Sequence, residues 1–516
     1  MWELADMEAG RFKNQLMNGN GRWKNDTIYH LFCAATIYFK RTLLFVIVIC
    51  YNGNSVKGKG DTVELKRDIY EKLLEWKVQD SGHVLELRGA RQVGKTFILD
   101  KFARENYKQY IYINMVQTSG REFLECLEKA TEWEPGTPRK ERPIHDAFHL
   151  FDERFRDEKD TVVVIDEIQE SAEVYSLIRQ FARDFQCHFV VTGSYLGKTL
   201  SKEYFQPVGD LDILTLYTLS FEEFLDAEGK RELYNEISLY GESSHDDYDE
   251  LKKYYEIYYR IGGYPSVVRT YFETKSFEKC NSEISRVIHI FTEESQAYFN
   301  DVLDMNFFSQ ILPAVAQTMI KEKKGSDDLI SELSKIVYKQ ESNRITKRSI
   351  NQSIAWLYRS HIIDFCGKAN DCNPVDVSMN SRFYFLDVGV CRFFLNMAGA
   401  DDAMLRGTVC ENFIYIELLK RVREFKMAGI APMFGTYKEG EIDFFINSRE
   451  NYKNYGVEVK AGKSESKTAR QLLKEGKVEA IYFLKGDTYG GLAERKITIP
   501  IYLVGRVKFD YQYQEV

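Results

Sequence analysis

Paired cysteines, an excess of positive charge and a long apolar run are all missing from this 516-residue chain. Its nine cysteines include no Cys-x-x-C pair, and the nearest two, Cys366 and Cys372, have no second pair to complete a zinc site. A disulfide scaffold and a zinc ribbon are therefore not expected, and a reduced, cytoplasmic chain is. The formal net charge of -8 leaves no global positive field to draw the molecule onto nucleic acid or anionic lipid, so any such binding must use a local patch. Within Tyr29 to Tyr51, Lys40 and Arg41 break the apolar stretch that ends in Leu43 to Cys50. About ten uninterrupted apolar residues remain where a membrane span needs roughly twenty, so a membrane is not an expected partner. The run also lies too far into the chain, without a small-residue cleavage site after it, to read as a secretory signal. Residues 1–60 are thus expected to be an extension, poorly ordered or hydrophobic. One further motif is a decoy: His145 and His149 stand four apart as in a zinc protease, but Asp146 replaces the general-base glutamate and no third ligand is evident.

What is present is the balance of an ordinary globular protein, 44% hydrophobic and 29% charged, in a chain long enough for two to four domains. Regular patterning begins near residue 61. Ile69, Leu73, Leu74 and Trp76 predict an amphipathic helix, and His83 to Leu87 a short strand. Gly89, Ala90, Arg91, Gln92, Val93, Gly94, Lys95 and Thr96 follow, and then a second helix. Strand, glycine loop and helix form the setting of a phosphate cradle. The glycines let the backbone turn so that successive N–H groups point at phosphate oxygens at the positive end of the helix. Lys95 is expected to reach the β and γ phosphates of ATP, and the Thr96 hydroxyl to ligate Mg2+.

A continuous apolar run, Thr161 to Ile165, ends in Asp166-Glu167. A buried parallel strand with acids at its end predicts that Asp166 holds the metal and that Glu167 polarises the attacking water, with Lys95 as the second catalytic group. Gln109 to Met115 and His188 to Ser194 read as further strands, the latter offering Thr192 or Ser194 as a γ-phosphate sensor, and Leu211 to Ser220 as a fifth. Such alternation predicts a doubly wound α/β parallel sheet with nucleotide at the carboxyl ends of its strands. Arg179 and Arg183, on the helix after Asp166-Glu167, are candidate finger residues for a neighbouring subunit, or surface salt-bridge partners.

The phosphate loop, Ile165-Asp166-Glu167-Ile168-Gln169, Thr192-Gly193-Ser194, Leu219-Ser220-Phe221-Glu222-Glu223-Phe224 and Gly262-Gly263-Tyr264-Pro265, in that order, resemble the prokaryotic AAA-superfamily P-loop ATPases that carry a C-terminal domain of unknown function. The resemblance spans roughly Asp61 to Val504. It implies an AAA+ type core over 61–230 and a helical lid over 231–305, with Tyr264 and Pro265 near the adenine and Arg260 as a sensor of nucleotide state.

Beyond the lid, two amphipathic helices carrying Leu329, Leu333 and Ile336, then Ile350, Ile354 and Leu357, fit a winged helix over 306–375, with Lys347 and Arg348 opening its second helix. Residues 376–516 resemble a restriction-endonuclease-like α/β domain. Glu411 is expected to begin a helix, Asp443 lies on one strand, and Glu458 and Lys460 share a face of the next, so that two carboxylates and a lysine could serve a metal-dependent nuclease, with Glu411 completing the shell. Three functions compete on these grounds: a nucleotide-driven switch or remodelling ATPase, an ATP- and magnesium-dependent DNA nuclease, and a nucleotide-responsive DNA-binding regulator without catalysis. Expected partners are ATP, DNA or RNA through the winged helix and C-terminal domain, a protein partner, or further copies of the chain.

Overall fold

The valine- and isoleucine-rich runs of the N-terminal half assemble into a five-stranded parallel sheet: β1 (Val84–Arg88), β2 (Gln109–Asn114), β3 (Thr161–Asp166), β4 (His188–Thr192) and β5 (Leu211–Thr215), in the order β2-β3-β4-β1-β5. This computed structural model describes residues 65–132, 141–196, 209–299, 307–321, 328–340, 346–424, 432–448, 451–460 and 466–511, with a few single positions between 197 and 208. The expected extension over 1–60, with its apolar run, lies outside the described residues.

Every residue of β3 is buried, as a central parallel strand covered on both faces requires. Val162 and Val164 pack with Leu85, Leu87 and Val190 beneath α1 (Ile69–Gln79) and α2 (Lys95–Asn106). Val163 and Ile165 pack with Ile111, Ile113, Phe189 and Phe181 on the other face. The fifth strand ends at Thr215 rather than Ser220, because the chain turns there to open α3 (Phe221–Ala227). Ser220 is the N-cap, and a reciprocal box with Glu223 closes the helix start.

The lid region is helical as expected, with Arg231–Glu236, α4 (His245–Ile261), α5 (Pro265–Thr274) and Phe277–Phe299. Three helices follow, α6 (Phe307–Lys321), α7 (Leu329–Gln340) and α8 (Lys347–Arg359), and then the antiparallel pair β6 (Ile363–Ala369) and β7 (Val377–Phe385). These strands belong to an eight-stranded sheet, ordered β12-β13-β11-β10-β9-β8-β6-β7. Its other members are β8 (Met433–Tyr437), β9 (Gly440–Asn447), β10 (Asn454–Lys460), β11 (Ala480–Lys485), β12 (Gly491–Ala493) and β13 (Lys496–Pro500). A division at 375 would pass between two hydrogen-bonded strands of this sheet. Helix α9 (Asp402–Glu424) covers one face, packing Phe413, Ile414 and Leu418 with Val457, Tyr482 and Leu484. The helix Lys467–Lys474 covers the other, packing Ala469 and Leu472 with Ile442, Ile481 and Phe483. Glu411 lies in the middle of α9 and does not begin it: Asp401 caps the start instead, its carboxylate accepting from Met404 N–H at 2.8 Å.

No described helix is long and apolar enough to cross a membrane.

Candidate functional site

β1 delivers the chain to Gly89, whose φ of +146° and close approach to Leu216 exclude a side chain: a Cβ there would stand 2.1 Å from the Leu216 carbonyl oxygen. The loop then passes through left-handed Gln92 (φ 63°) and Gly94 (φ 97°), and α2 begins at Lys95 with Gly94 as its N-cap. Its free N–H groups and the positive end of the helix dipole thus face the loop's concavity. Ala90 and Val93 are buried, Arg91 and Gln92 half-buried. The buried Lys95 ammonium donates to the carbonyls of Gly89 and Ala90, both at 2.9 Å, so the loop is folded around its own lysine.

The expected partner strand is in place. Thr96 Oγ1 donates to Asp166 Oδ2 at 2.8 Å, Tyr112 OH donates to the same oxygen at 2.8 Å, and Glu167 N–H donates to Oδ1 at 2.8 Å. Burial, reinforced by the neighbouring Glu167 charge, raises the Asp166 carboxyl above the usual range. These donors are hard oxygens and neutral N–H and O–H groups that can yield to a cation, so the Thr96 and Asp166 pair fits magnesium and the loop fits a polyphosphate.

Glu167 leaves β3 in a left-handed conformation (φ 52°), which turns its side chain away from the strand direction. Its Oε2 accepts from Gln169 Nε2 at 2.6 Å and from Ser194 at both N (3.1 Å) and Oγ (2.9 Å). Among the described residues these hydrogen bonds all fall on Oε2 and none on Oε1. Gly193 lies close beside it: a Cβ there would stand 1.9 Å from Gln169 Oε1 and would displace that side chain. Ser194 therefore meets the carboxylate expected to act on water. Thr192 does not serve as a sensor: it is fully buried and its hydroxyl donates to the Leu87 carbonyl at 2.8 Å, inside the sheet.

Arg67 was not foreseen from the sequence. It lies just before α1, half-buried with its side chain covered, with Nη1 donating to the Val93 carbonyl of the phosphate loop at 2.8 Å, Nη2 donating to the Tyr217 carbonyl at 2.6 Å, and Nε 3.2 Å from Glu223 Oε1. The Leu-Ser-Phe-Glu-Glu-Phe motif thus reaches the loop through Glu223. The detectable signal was Ser220 followed three residues later by Glu223, a capping box, but the arginine partner lies too far away in sequence to be paired with it. The next acid, Glu222, meets Arg231 at 4.0 Å, and burial followed by the charge of Glu417 pushes its carboxyl up to about 7 against that arginine. A carboxyl raised in the folded state costs nothing below its ordinary 4.5 and destabilises fully above about 7. Glu222→Gln is expected to remove a decline in stability between those pH values and to gain on the order of 2 kcal/mol at pH 8, measured by urea unfolding across pH.

Tyr264 is buried, its ring 5.8 Å from Phe291, and Pro265 opens α5. The preceding glycines are packing positions. A Cβ at Gly263 would lie 2.1 Å from the Leu219 carbonyl oxygen, and one at Gly262 2.4 Å from Asp387 Oδ1. Asp387 Oδ2 accepts from Gly263 N–H at 2.9 Å and Oδ1 from Val390 N–H at 2.9 Å, tying the lid to the C-terminal half. Arg260 is exposed over the Phe277 ring at 5.0 Å, and Arg179 and Arg183 both engage Asp210, at 3.1 and 3.0 Å.

The C-terminal carboxylates are not gathered as expected. In the parallel register Val457 pairs with Tyr482 and Val459 with Leu484, toward α9, whereas Glu458 pairs with Phe483, toward the helix Lys467–Lys474. Glu411 projects from α9 and accepts from Tyr384 OH and from Arg382 Nη1 at 3.3 Å, while Arg382 Nη2 donates to Glu441 at 2.9 Å. Glu458 pairs with Lys460 at 2.7 Å, and Asp443 Oδ2 accepts from Val459 N–H at 2.6 Å. Glu411 and Glu458 thus approach the sheet from opposite faces, which corrects the expectation that Glu411 completes a metal shell with Asp443 and Glu458. Among the described residues no group of three or more His, Cys, Asp or Glu is placed to hold a metal ion, His145 and His149 included.

Residues 81–225 match a family model, AAA_14, described as an AAA domain. No curated protein matches the chain. Among solved structures, the chain is similar to the Walker-type ATPase PABY2304 of Pyrococcus abyssi (13% identity, 64% of this chain and 96% of that one, TM-score 0.40). It is also similar to the Aeropyrum pernix ORC1 protein solved with DNA (13%, 67% and 96%, TM-score 0.30) and to the Thermotoga maritima RuvB Holliday junction branch migration motor (15%, 61% and 92%, TM-score 0.28). At these TM-scores the likenesses carry no argument about function. Residues 81–225 thus match an AAA domain and form a parallel sheet of P-loop type, whose glycine loop and Asp166 are hydrogen-bonded through Thr96.

Proposed function

We propose that the protein binds ATP with magnesium, hydrolyses it, and uses the cycle as a nucleotide-driven switch that acts on its C-terminal half. The observation that carries this reading is the 2.8 Å hydrogen bond between Thr96 and Asp166, which brings together the two groups that hold a magnesium ion in such a site. Bound magnesium would supply charge neutralisation across the β and γ phosphates. The remaining steps belong to the chain's own residues. Lys95 exchanges two neutral loop carbonyls for charged phosphate oxygens. The N–H groups at the start of α2 orient the phosphates. Glu167 accepts the proton of the attacking water on Oε1 while Ser194 and Gln169 hold Oε2. Arg67, bonded to both the Val93 carbonyl and Glu223, relates the shape of the loop to α3.

The test is nucleotide binding and turnover with Lys95→Ala. ATP at one hundred times its dissociation constant should stabilise the wild-type fold by about 2.7 kcal/mol. In the variant both this thermal shift and phosphate release should vanish. A variant that still shifts with ATP would remove Lys95 from the site.

The switch reading extends to the output end. The succession α6, α7, α8, β6, β7 supports a winged helix, and Lys347 and Arg348 are exposed at the start of α8, where phosphate contacts of DNA or RNA would be made. Tyr264 and Pro265 remain the proposed adenine side of the site.

A further inference from the structure

We infer that Arg382 fills the space between Glu411 and Glu441 that a cation would otherwise need, and that the C-terminal carboxylates are counter-ions of Arg382 and Lys460 rather than ligands of a hydrolytic metal centre.

The residues a restriction-endonuclease-like fold implies do not fit a shared metal. A hydrolytic magnesium site needs carboxylate oxygens converging on one point with positions left for water and phosphate. Here β10 sends Glu458 to the face covered by Lys467–Lys474, while Glu411 comes from α9 on the opposite face. On the α9 side the converging point is already filled. Arg382 reaches from β7 past β6 and over β8, its guanidinium 3.9 Å from the centre of the Phe434 ring, and bonds Glu411 at 3.3 Å and Glu441 at 2.9 Å. Only 7% of Arg382 is exposed. A guanidinium keeps its charge under all physiological conditions, and held flat on an aromatic ring between two carboxylates it cannot be titrated away to admit a metal. Glu411 is further committed to Tyr384 OH. On the other side Lys460 holds Glu458 at 2.7 Å, and the Val459 N–H holds Asp443.

A pocket of about 410 Å³ opens beside Arg382, between α6, α7 and α9, with Met319, Met404 and Gly407 among its walls. Glu411 and Glu441 line it, but both present their carboxylates to Arg382. What reaches this pocket therefore meets a neutralised pair instead of a bare acidic site, and the C-terminal domain acts by binding or packing, without cutting.

Manganese serves as the probe, because its electron paramagnetic resonance signal is lost on binding. Full-length protein is titrated with Mn2+ in the absence of nucleotide, comparing wild type with Glu458→Gln and Asp443→Asn, each verified as folded by its thermal transition. The expected result is that the titrations coincide. A wild type that sequesters one Mn2+ per chain, with binding weakened tenfold or more in either variant, would overturn the inference. Labelled DNA incubated with the wild type, ATP and Mg2+ or Mn2+ should stay intact, and cleavage that Glu458→Gln abolishes would equally overturn it. Titrating with ATP present and comparing Asp166→Asn reports the nucleotide-linked metal separately, so failure at the phosphate loop is not confused with failure here.

Discussion

Glu167→Gln is expected to slow ATP turnover by about 10²- to 10⁴-fold while nucleotide binding persists. The substitution is close to isosteric. A glutamine carbonyl oxygen can still accept from Ser194 N, Ser194 Oγ and Gln169, so the side chain keeps its place, and the left-handed backbone at this position is undisturbed. What disappears is a carboxylate oxygen able to take a proton from water. The expected loss corresponds to about 3–5 kcal/mol of transition-state stabilisation and should appear in the turnover number, with ATP affinity little changed. Single-turnover phosphate release together with equilibrium nucleotide binding separates the two. If turnover is preserved, the general base lies elsewhere. If affinity falls in parallel with turnover, Glu167 is part of the binding shell instead.

The second large effect is on stability. Arg67→Ala should destabilise the protein by about 3–5 kcal/mol, because it leaves a buried Glu223 carboxylate with only the N–H groups of Asp68 and Ser220 and no counter-charge, and releases two carbonyls at once. The arginine and Glu223 side chains are only 6% and 7% exposed, so water does not replace the lost contacts. Since one of the carbonyls belongs to Val93 in the phosphate loop, ATP affinity should fall as well. The double variant Arg67→Met, Glu223→Gln should recover much of the stability, as it removes both charges, but not the ATP affinity, as the tie to Val93 is gone. Urea unfolding and nucleotide titration of the three variants make the comparison. A loss below about 1 kcal/mol in Arg67→Ala would show that the pair is solvated and that the loop is held by its own glycines.

Much of the nucleotide site was legible because its parts act over a few residues. Gly89 and Gly94 are needed where the loop turns through positive φ, Lys95 and Thr96 open the helix that follows, and a buried run ending in Asp166-Glu167 declares a central strand and its acidic end. The C-terminal strands were legible for the same reason, since alternation is local: Glu458 and Lys460 do share a face. Which face that is, and what lies across it, are not local properties. The expectation that Glu411 would join Asp443 and Glu458 went wrong because the side of the sheet on which α9 packs depends on the whole sheet's burial, with Val457 and Val459 taking the α9 side and leaving Glu458 the other.

The sequence by itself determined that a glycine loop and its acidic strand exist and where they lie, because backbone turn chemistry and strand burial are decided within one strand, one loop and one helix turn. Only the tertiary structure decided that Arg67 ties the loop to Glu223, that Gln169 and Ser194 hold one oxygen of Glu167, and that Arg382 lies between Glu411 and Glu441. Apart from the local Gln169 bond, these are contacts between segments from 27 to more than one hundred and fifty residues apart. They form only when packed layers bring the partners to one place, and charge pairing in a buried site then selects among the residues that arrive there.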